Sequence, residues 1–234
     1  MVNIAKLAFV QSFLSSVSST TTTQCNSNFN VSVPGAEILS ITSNEAINFS
    51  VAAMPPTQPA INGISFCNVT VVLKHVGIND TVTNTIWLPL QNWNGRFQAT
   101  GGGGYSTGFV DFMAPGVAAG YSAGSTDGGN IGSGFTISPT VLTSDNEVNW
   151  PLFLDYASRS IHEMAVIGKA VTEGFYGTAP KYSYMNGCST GGRQGYMAAQ
   201  KYPEDFNVRV SLDRGLDLFL PLAPRLHRAK TPLN

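Results

Sequence analysis

Charge is scarce in this chain. Asp, Glu, Lys and Arg make up only 12% of its 234 residues, and the formal net charge is −1. Nucleic acids and anionic membranes are held by clustered positive charge, so neither has an electrostatic basis as a partner here. Histidine and cysteine are equally sparse, three of each, and no His/Cys/Asp cluster has metal-ligand spacing. Long apolar runs are lacking. The first one, at the N-terminus, is broken by Gln11 and Ser12 and is too short to span a bilayer. Internal repeats and long low-complexity stretches are absent as well. Glycine is abundant, at 24 residues, in a chain that is 43% hydrophobic, which fits a globular protein with many turns. The length allows one sizeable domain, or a domain with a small appendage.

The N-terminal segment reads as a secretory signal over residues 1–20: one Lys, a short apolar run, then a Ser/Thr-rich stretch with cleavage near Ser18 to Thr22. Four sequons agree with a secretory route, at Asn30, Asn48, Asn68 and Asn79. An oxidising compartment lets Cys25 and Cys67 pair. Cys188 is then odd, so it is a free thiol, an intermolecular bond or one half of a pair whose other half is absent.

Short strands are expected at residues 37–40 and 47–52, followed by a stiff Pro-rich connector at 54–59. Residues 67–75 alternate, with Cys67, Val69, Val71 and Leu73 on one face. Further strands are expected at 82–88, 96–100 and 121–126. Pro151 opens a helix, and Leu154, Ala157, Ile161, Met164, Gly168 and Val171 recur along it at helical spacing towards Gly174. A short strand at 182–185 leads to Gly187-Cys188-Ser189-Thr190-Gly191-Gly192. A helix at 193–201 follows and stops at Pro203.

That glycine-flanked serine has the G-x-S-x-G pattern of a nucleophile elbow. The sharp strand-to-helix turn presents a hydroxyl and leaves room only for small neighbours. A plain glycine turn shares the pentapeptide, but the strand–turn–helix setting favours Ser189 as a nucleophile. The backbone N–H of Thr190 is then one oxyanion donor. The second is expected from the loop after residues 96–100, where Gly101–Gly104 let the backbone aim N–H groups inward; Gly102 and Gly103 are the candidates. A flexible linker would be longer and mixed with Ser or Pro, and no Gly-Lys-Ser/Thr follows to suggest a phosphate loop.

Several motifs together resemble the tannase and feruloyl esterase family of secreted fungal esterases. They are Trp93-Asn94-Gly95-Arg96-Phe97 with the glycine loop, Ser125-Thr126-Asp127, His162-Glu163-Met164, Phe175-Tyr176-Gly177, the Ser189 elbow through Gly195, and Lys201-Tyr202-Pro203-Glu204-Asp205-Phe206. The resemblance covers residues 25–207. It implies an α/β-hydrolase core with an inserted lid, hydrolysis of feruloyl or galloyl esters of plant cell-wall polymers or tannins, and a Ser-Asp-His triad in that order. It also implies a disulfide from Cys188 to a Cys after the triad His, and a structural calcium in the lid; the chemistry itself needs no cofactor.

After Asn207 the resemblance is expected to stop, and residues 208–234 read as an unrelated tail. The chain is thus expected to be a partial α/β-hydrolase core with a β-rich N-terminal region at 21–207, lacking the lid and the C-terminal half. Lid, triad Asp and His, the partner of Cys188 and the calcium ligands have no counterpart. Asp213, Asp217 and His227 follow Ser189 but sit in a Pro- and Arg-rich stretch with little room for further strands. His162, on a helix before the serine, reads as structural or surface, and His75 ends a strand with no evident partner. Asp127 and Glu163 read as packing or surface groups. The sequence therefore describes a secreted serine esterase that is inactive as 234 residues; the alternative is a non-catalytic ligand-binding remnant or a non-functional fragment.

Overall fold

The computed structural model describes residues 25–54, 58–213 and 216–218. The leader, its cleavage region and His227 lie outside the described residues. Strands β1 (Ala36–Val51), β2 (Ile61–His75), β3 (Val82–Pro89) and β4 (Arg96–Thr100) come first, followed by a short helix, α1 (Ala114–Ala118), and β5 (Ser122–Thr126). A small hairpin, β6 (Gly132–Ser133) with β7 (Thr136–Ile137), precedes α2 (Trp150–Leu154), a π turn (Asp155–Arg159) and α3 (Ser160–Tyr176). The chain then gives β8 (Tyr182–Cys188), α4 (Thr190–Lys201), β9 (Val208–Asp213) and β10 (Leu216–Leu218).

Eight strands form one sheet in the order β1-β2-β3-β5-β4-β8-β9-β10. β1, β2, β3 and β5 pair antiparallel, whereas β5, β4, β8 and β9 run parallel. This mixed sheet with helices on its faces is the expected α/β class. The two strands anticipated at 37–40 and 47–52 are one 16-residue strand. Register shifts near Ser40 and Phe49 interrupt its alternation, because a bulge inserts an unpaired residue and breaks the period of two. Residues 208–213, expected to depart from the core, instead extend the parallel sheet beside β8, with Val208 opposite Tyr184 and Leu212 opposite Cys188.

The alternation in β2 splits the sheet into two faces. Val69, Val71 and Leu73 point to the face covered by α3, where they meet Ile86, Ile167, Val171 and Phe175. Phe66 points the other way, to Trp87, Met113 and Val117 near α1. Gly168 allows α3 to lie directly on β4: a Cβ there would come 2.2 Å from Phe97. The helix expected from Pro151 to Gly174 is present but widens into the π turn at Asp155.

Cys25 and Cys67 form a disulfide with Cα atoms 5.4 Å apart. It pins the segment carrying Phe29 and Val31 onto the α3-facing core. Breaking it with Cys25→Ser is expected to cost about 2–4 kcal/mol, read from the midpoint of urea unfolding. Cys188 is free.

Candidate active site

Strand β8 delivers the chain to Ser189, and α4 starts on the next residue. Ser189 has φ 57° and ψ −117°, a conformation that costs a non-glycine residue about 1–3 kcal/mol. The surroundings hold it there. A Cβ on Gly187 would lie 2.5 Å from the Gly191 carbonyl carbon, and one on Gly101 would lie 2.4 Å from the Gly191 Cα. Backbone thus touches backbone where the glycine loop crosses the elbow, and only glycine fits. A serine before a helix usually bonds its hydroxyl to the first turn. Ser189 makes no such cap bond, and the residue is exposed.

The glycine loop is fastened to this turn by hydrogen bonds. Gly101 N–H donates to the Asn186 carbonyl and Gly191 N–H to the Gly102 carbonyl, both at 2.9 Å. The Gly102 N–H, expected to point at an oxyanion, donates instead to Gln194 Oε1 at 3.1 Å. Gln194 Nε2 donates onward to the Thr107 carbonyl at 2.9 Å. Gln194 is fully buried, so its amide satisfies two backbone groups that water cannot reach. The Gly104 carbonyl accepts from Thr190 Oγ1 at 2.7 Å and from the Tyr156 hydroxyl at 2.9 Å. Thr190 is the first residue of α4, so its N–H has no partner within the helix. Gly103 pairs with Ser106 in an isolated antiparallel bridge, with Ser106 N–H donating to the Gly103 carbonyl at 3.0 Å.

The π turn explains Tyr156. Its widened backbone leaves the carbonyls of Tyr156 and Ala157 free for the Arg193 guanidinium, which donates to both at 3.1 Å. The same guanidinium lies 4.6 Å from the centre of the Tyr156 ring. Arg193 on α4 therefore aims the tyrosine whose hydroxyl supports the glycine loop.

Neither described histidine serves the elbow. His162 Nδ1 pairs with Asp205 at 2.8 Å and its ring stacks on Tyr202. His75, expected to lack a partner, is buried between two carboxylates: Nδ1 is 2.6 Å from Asp80 and Nε2 is 2.6 Å from Glu163. Arg159 completes the cluster, bonding Asp155 at 2.7 Å and Asp80 at 3.3 Å. Burial opposes charge on the imidazole, yet the hydrogen bonds to Glu163 and Asp80 outweigh it and raise the His75 pKa above its ordinary value. Burial also pushes Asp155 and Glu163 upward. For Asp80, bonds from the His75 backbone and ring overcome burial and hold it low. Asp127 accepts from the N–H groups of Thr83 and Gly129 and so ties β3 to the turn after β5.

His75, Asp80 and Asp155 bring ligand-type atoms within 4.8 Å of one another. This group does not fit the calcium that the family resemblance implies. Calcium takes six to eight oxygens, whereas here an imidazole and the Arg159 guanidinium already occupy the carboxylates.

Sequence reasoning passed over Gln194, Tyr156 and the His75 cluster. Gln194 had a local signal, because it lies five residues after the serine, one turn into a helix. Tyr156 and the cluster had none, because their partners are distant in the chain.

Comparison with known proteins gives a family. The family model described as "Tannase and feruloyl esterase" matches residues 67–211. The chain belongs to the tannase and feruloyl esterase family. A family member named "Probable feruloyl esterase", from Arthroderma benhamiae, is 45% identical over 210 residues, covering 88% of this chain and 39% of its own length. The Aspergillus oryzae "Tannase" is 33% identical over 150 residues, covering 62% of this chain and 25% of its own length. Among solved structures, "Tannin acyl hydrolase from Aspergillus niger" matches with a TM-score of 0.68 at 32% identity, over 78% of this chain and 34% of that one. The chain therefore spans less than two fifths of these family members. The family match runs through Ser211, beyond the Asn207 boundary expected from the sequence and in keeping with the pairing of β9.

Proposed function

We propose that this chain carries the nucleophile elbow and oxyanion loop of a secreted carboxylic ester hydrolase acting on aromatic feruloyl or galloyl esters. The reading rests on one observation above all: Ser189 sits at positive φ between strand and helix, uncapped and exposed, with a glycine loop in backbone contact. In the reaction, Ser189 Oγ attacks the ester carbonyl and gives its proton to a base. The base passes the proton to the departing alcohol as the ester C–O bond breaks. Water then cleaves the acyl-serine and releases the acid. The N–H of Thr190 and the backbone of the Gly102–Gly103 loop hold the oxyanion, with Gln194 fixing that loop through the Gly102 N–H.

The base is the part that the described residues do not supply, since His75 and His162 are both engaged elsewhere. A serine without a base stays protonated. The 234-residue chain is therefore expected to turn over methyl ferulate or methyl gallate no faster than its Ser189→Ala variant. Robust Ser189-dependent hydrolysis by this chain would overturn that expectation. Sequencing the transcript across the codons for Asn207 and Val208 to its stop gives the companion test. If the reading frame continues to a late histidine, the longer product is expected to hydrolyse these esters and to lose that activity on Ser189→Ala. Hydrolysis that survives the substitution sinks the nucleophile assignment.

Secretion belongs to the same proposal. Asn30, Asn48 and Asn79 are exposed and open to glycosylation, and the Cys25–Cys67 bond suits an oxidising compartment. Among the described residues no helix is long and apolar enough to cross a membrane.

A further inference from the structure

The sheet face that α3 does not cover carries a groove of about 320 Å³, remote in sequence from the elbow. Its floor is aromatic. Phe66 and Trp87 stack at 4.1 Å between ring centres, and Phe49 meets both edge-on at 5.5 Å. Phe49 remains 37% exposed, so the floor is not closed. The walls are short polar side chains, among them Asn44, Thr70 and Thr85. An aromatic floor beside amides and hydroxyls suits a pyranose, whose ring offers C–H groups on its faces and hydroxyls at its rim.

The groove also holds the acceptor of a sequon. Asn68 lines it together with Thr70, the third residue of Asn68-Val69-Thr70. In register, Asn68 stands between Asn44 on β1 and Trp87 on β3. Its Nδ2 donates to Asn44 Oδ1 at 3.1 Å. Its Oδ1 is buried and has no partner among the described residues. The other sequons differ: Asn30, Asn48 and Asn79 are exposed, and none of them lines this groove.

We propose that Asn68 is N-glycosylated and that the first N-acetylglucosamine of its glycan occupies this groove as a structural element. The modification rests on the secretory reading above. Asn68 Nδ2 displaces the diphosphate of a lipid-linked oligosaccharide: the C1–N bond forms, the C1–O bond to phosphate breaks, the lipid diphosphate leaves, and one amide proton passes to the transferase. The glycosylated nitrogen keeps its second hydrogen, which is enough to retain the bond to Asn44. The sugar's hydroxyls and acetamide meet the polar walls of the groove at Asn44, Thr70 and Thr85. Its C–H face lies over Phe49, and the covalent tether makes this packing intramolecular.

The test uses the 234-residue chain secreted from yeast. Enzymatic glycan release in H₂¹⁸O marks each formerly occupied asparagine by mass, and it is read on denatured peptides from cells and medium so that folding does not enter. Occupied Asn68 is expected. Unmodified Asn68 alongside occupied Asn30, Asn48 or Asn79 overturns this proposal and leaves the secretory reading intact. If all four are unmodified, both fail. Docking is read from thermal unfolding of Phe49→Leu in the glycosylated protein and in the Asn68→Gln and Thr70→Val backgrounds, which both lack the glycan. Phe49→Leu is expected to lower the Tm by about 2–4 °C more when the glycan is present. An equal loss in all three backgrounds shows a glycan that hangs in solvent and overturns the packing.

Discussion

His75→Ala is expected to cost about 3–5 kcal/mol of folding stability, read as a fall in the urea midpoint. Both ring nitrogens of His75 lie 2.6 Å from carboxylate oxygens, and these hydrogen bonds favour the charged imidazolium over the neutral ring. Truncating it leaves Asp80 and Glu163 buried with Arg159 as their remaining cation. Asp155 Oδ2 and Glu163 Oε2 already lack partners, so the cluster has no spare donor to absorb the loss. The damage is not local. His75 ends β2, Asp80 opens the way into β3, and Glu163 lies on α3, so the cluster joins the antiparallel half of the sheet to the helix that covers it.

The cluster also sets a pH profile. The His75 pKa is raised above 6.5, so its contribution is complete below pH 6.5 and is lost as the pH rises through the folded value. Asp155 and Glu163, raised above 3.8 and 4.5, act in the same direction, costing stability as they ionise in the folded state. Asp80, lowered from 3.8, contributes above that value and loses its contribution as the pH falls through its folded pKa. Stability is therefore expected to be greatest in mildly acidic solution, with the Tm declining towards alkaline pH. A Tm that stays level from pH 6 to 9 contradicts a charged His75.

Gln194→Ala is expected to be the second large effect. The substitution strands the Gly102 N–H and the Thr107 carbonyl in a site that water does not reach, at about 1–3 kcal/mol for each. Gln194→Glu is the informative companion. It keeps the acceptor for Gly102 but turns an oxygen towards the Thr107 carbonyl, which already accepts at 2.9 Å. Glu therefore stays destabilised, although it is close in shape to Gln. Amide exchange at Gly102 supplies a direct readout: it is expected to be slow in the parent and fast in Gln194→Ala, with β3 amides unchanged. Slow exchange in the variant means that another group holds the loop. In any longer product with esterase activity, the same substitution is expected to lower kcat more than it raises KM, because a loosened loop weakens contacts made to the oxyanion of the transition state.

Much of this arrangement was legible along the chain. The alternation at Cys67–Leu73 placed β2 and its buried face, Pro151 and the following apolar spacing placed the helix, and the glycines around Ser189 marked the elbow. These are local signals, carried by residues within a few positions of one another. The Cys25–Cys67 pair was reachable by counting, since it required only two cysteines and an oxidising compartment.

Other features depended on distance. The bulges of β1 hid a single long strand behind two broken patterns. Gly102 looked like an oxyanion donor until Gln194, on a helix 92 residues later, took its N–H. His75 seemed isolated because Glu163 is 88 residues away, and Asn68 looked like any other sequon until the neighbouring strands set Asn44 and Trp87 on either side of it. The sequence alone thus determined the fold class, the nucleophile candidate and the faces of its main elements, because each follows from periodicity and from the steric needs of adjacent residues. Only the tertiary structure decided which loop N–H Gln194 takes, which histidine sits between two carboxylates and which sequon lies in a groove, because each depends on strand order and register, which bring together groups that no local pattern connects.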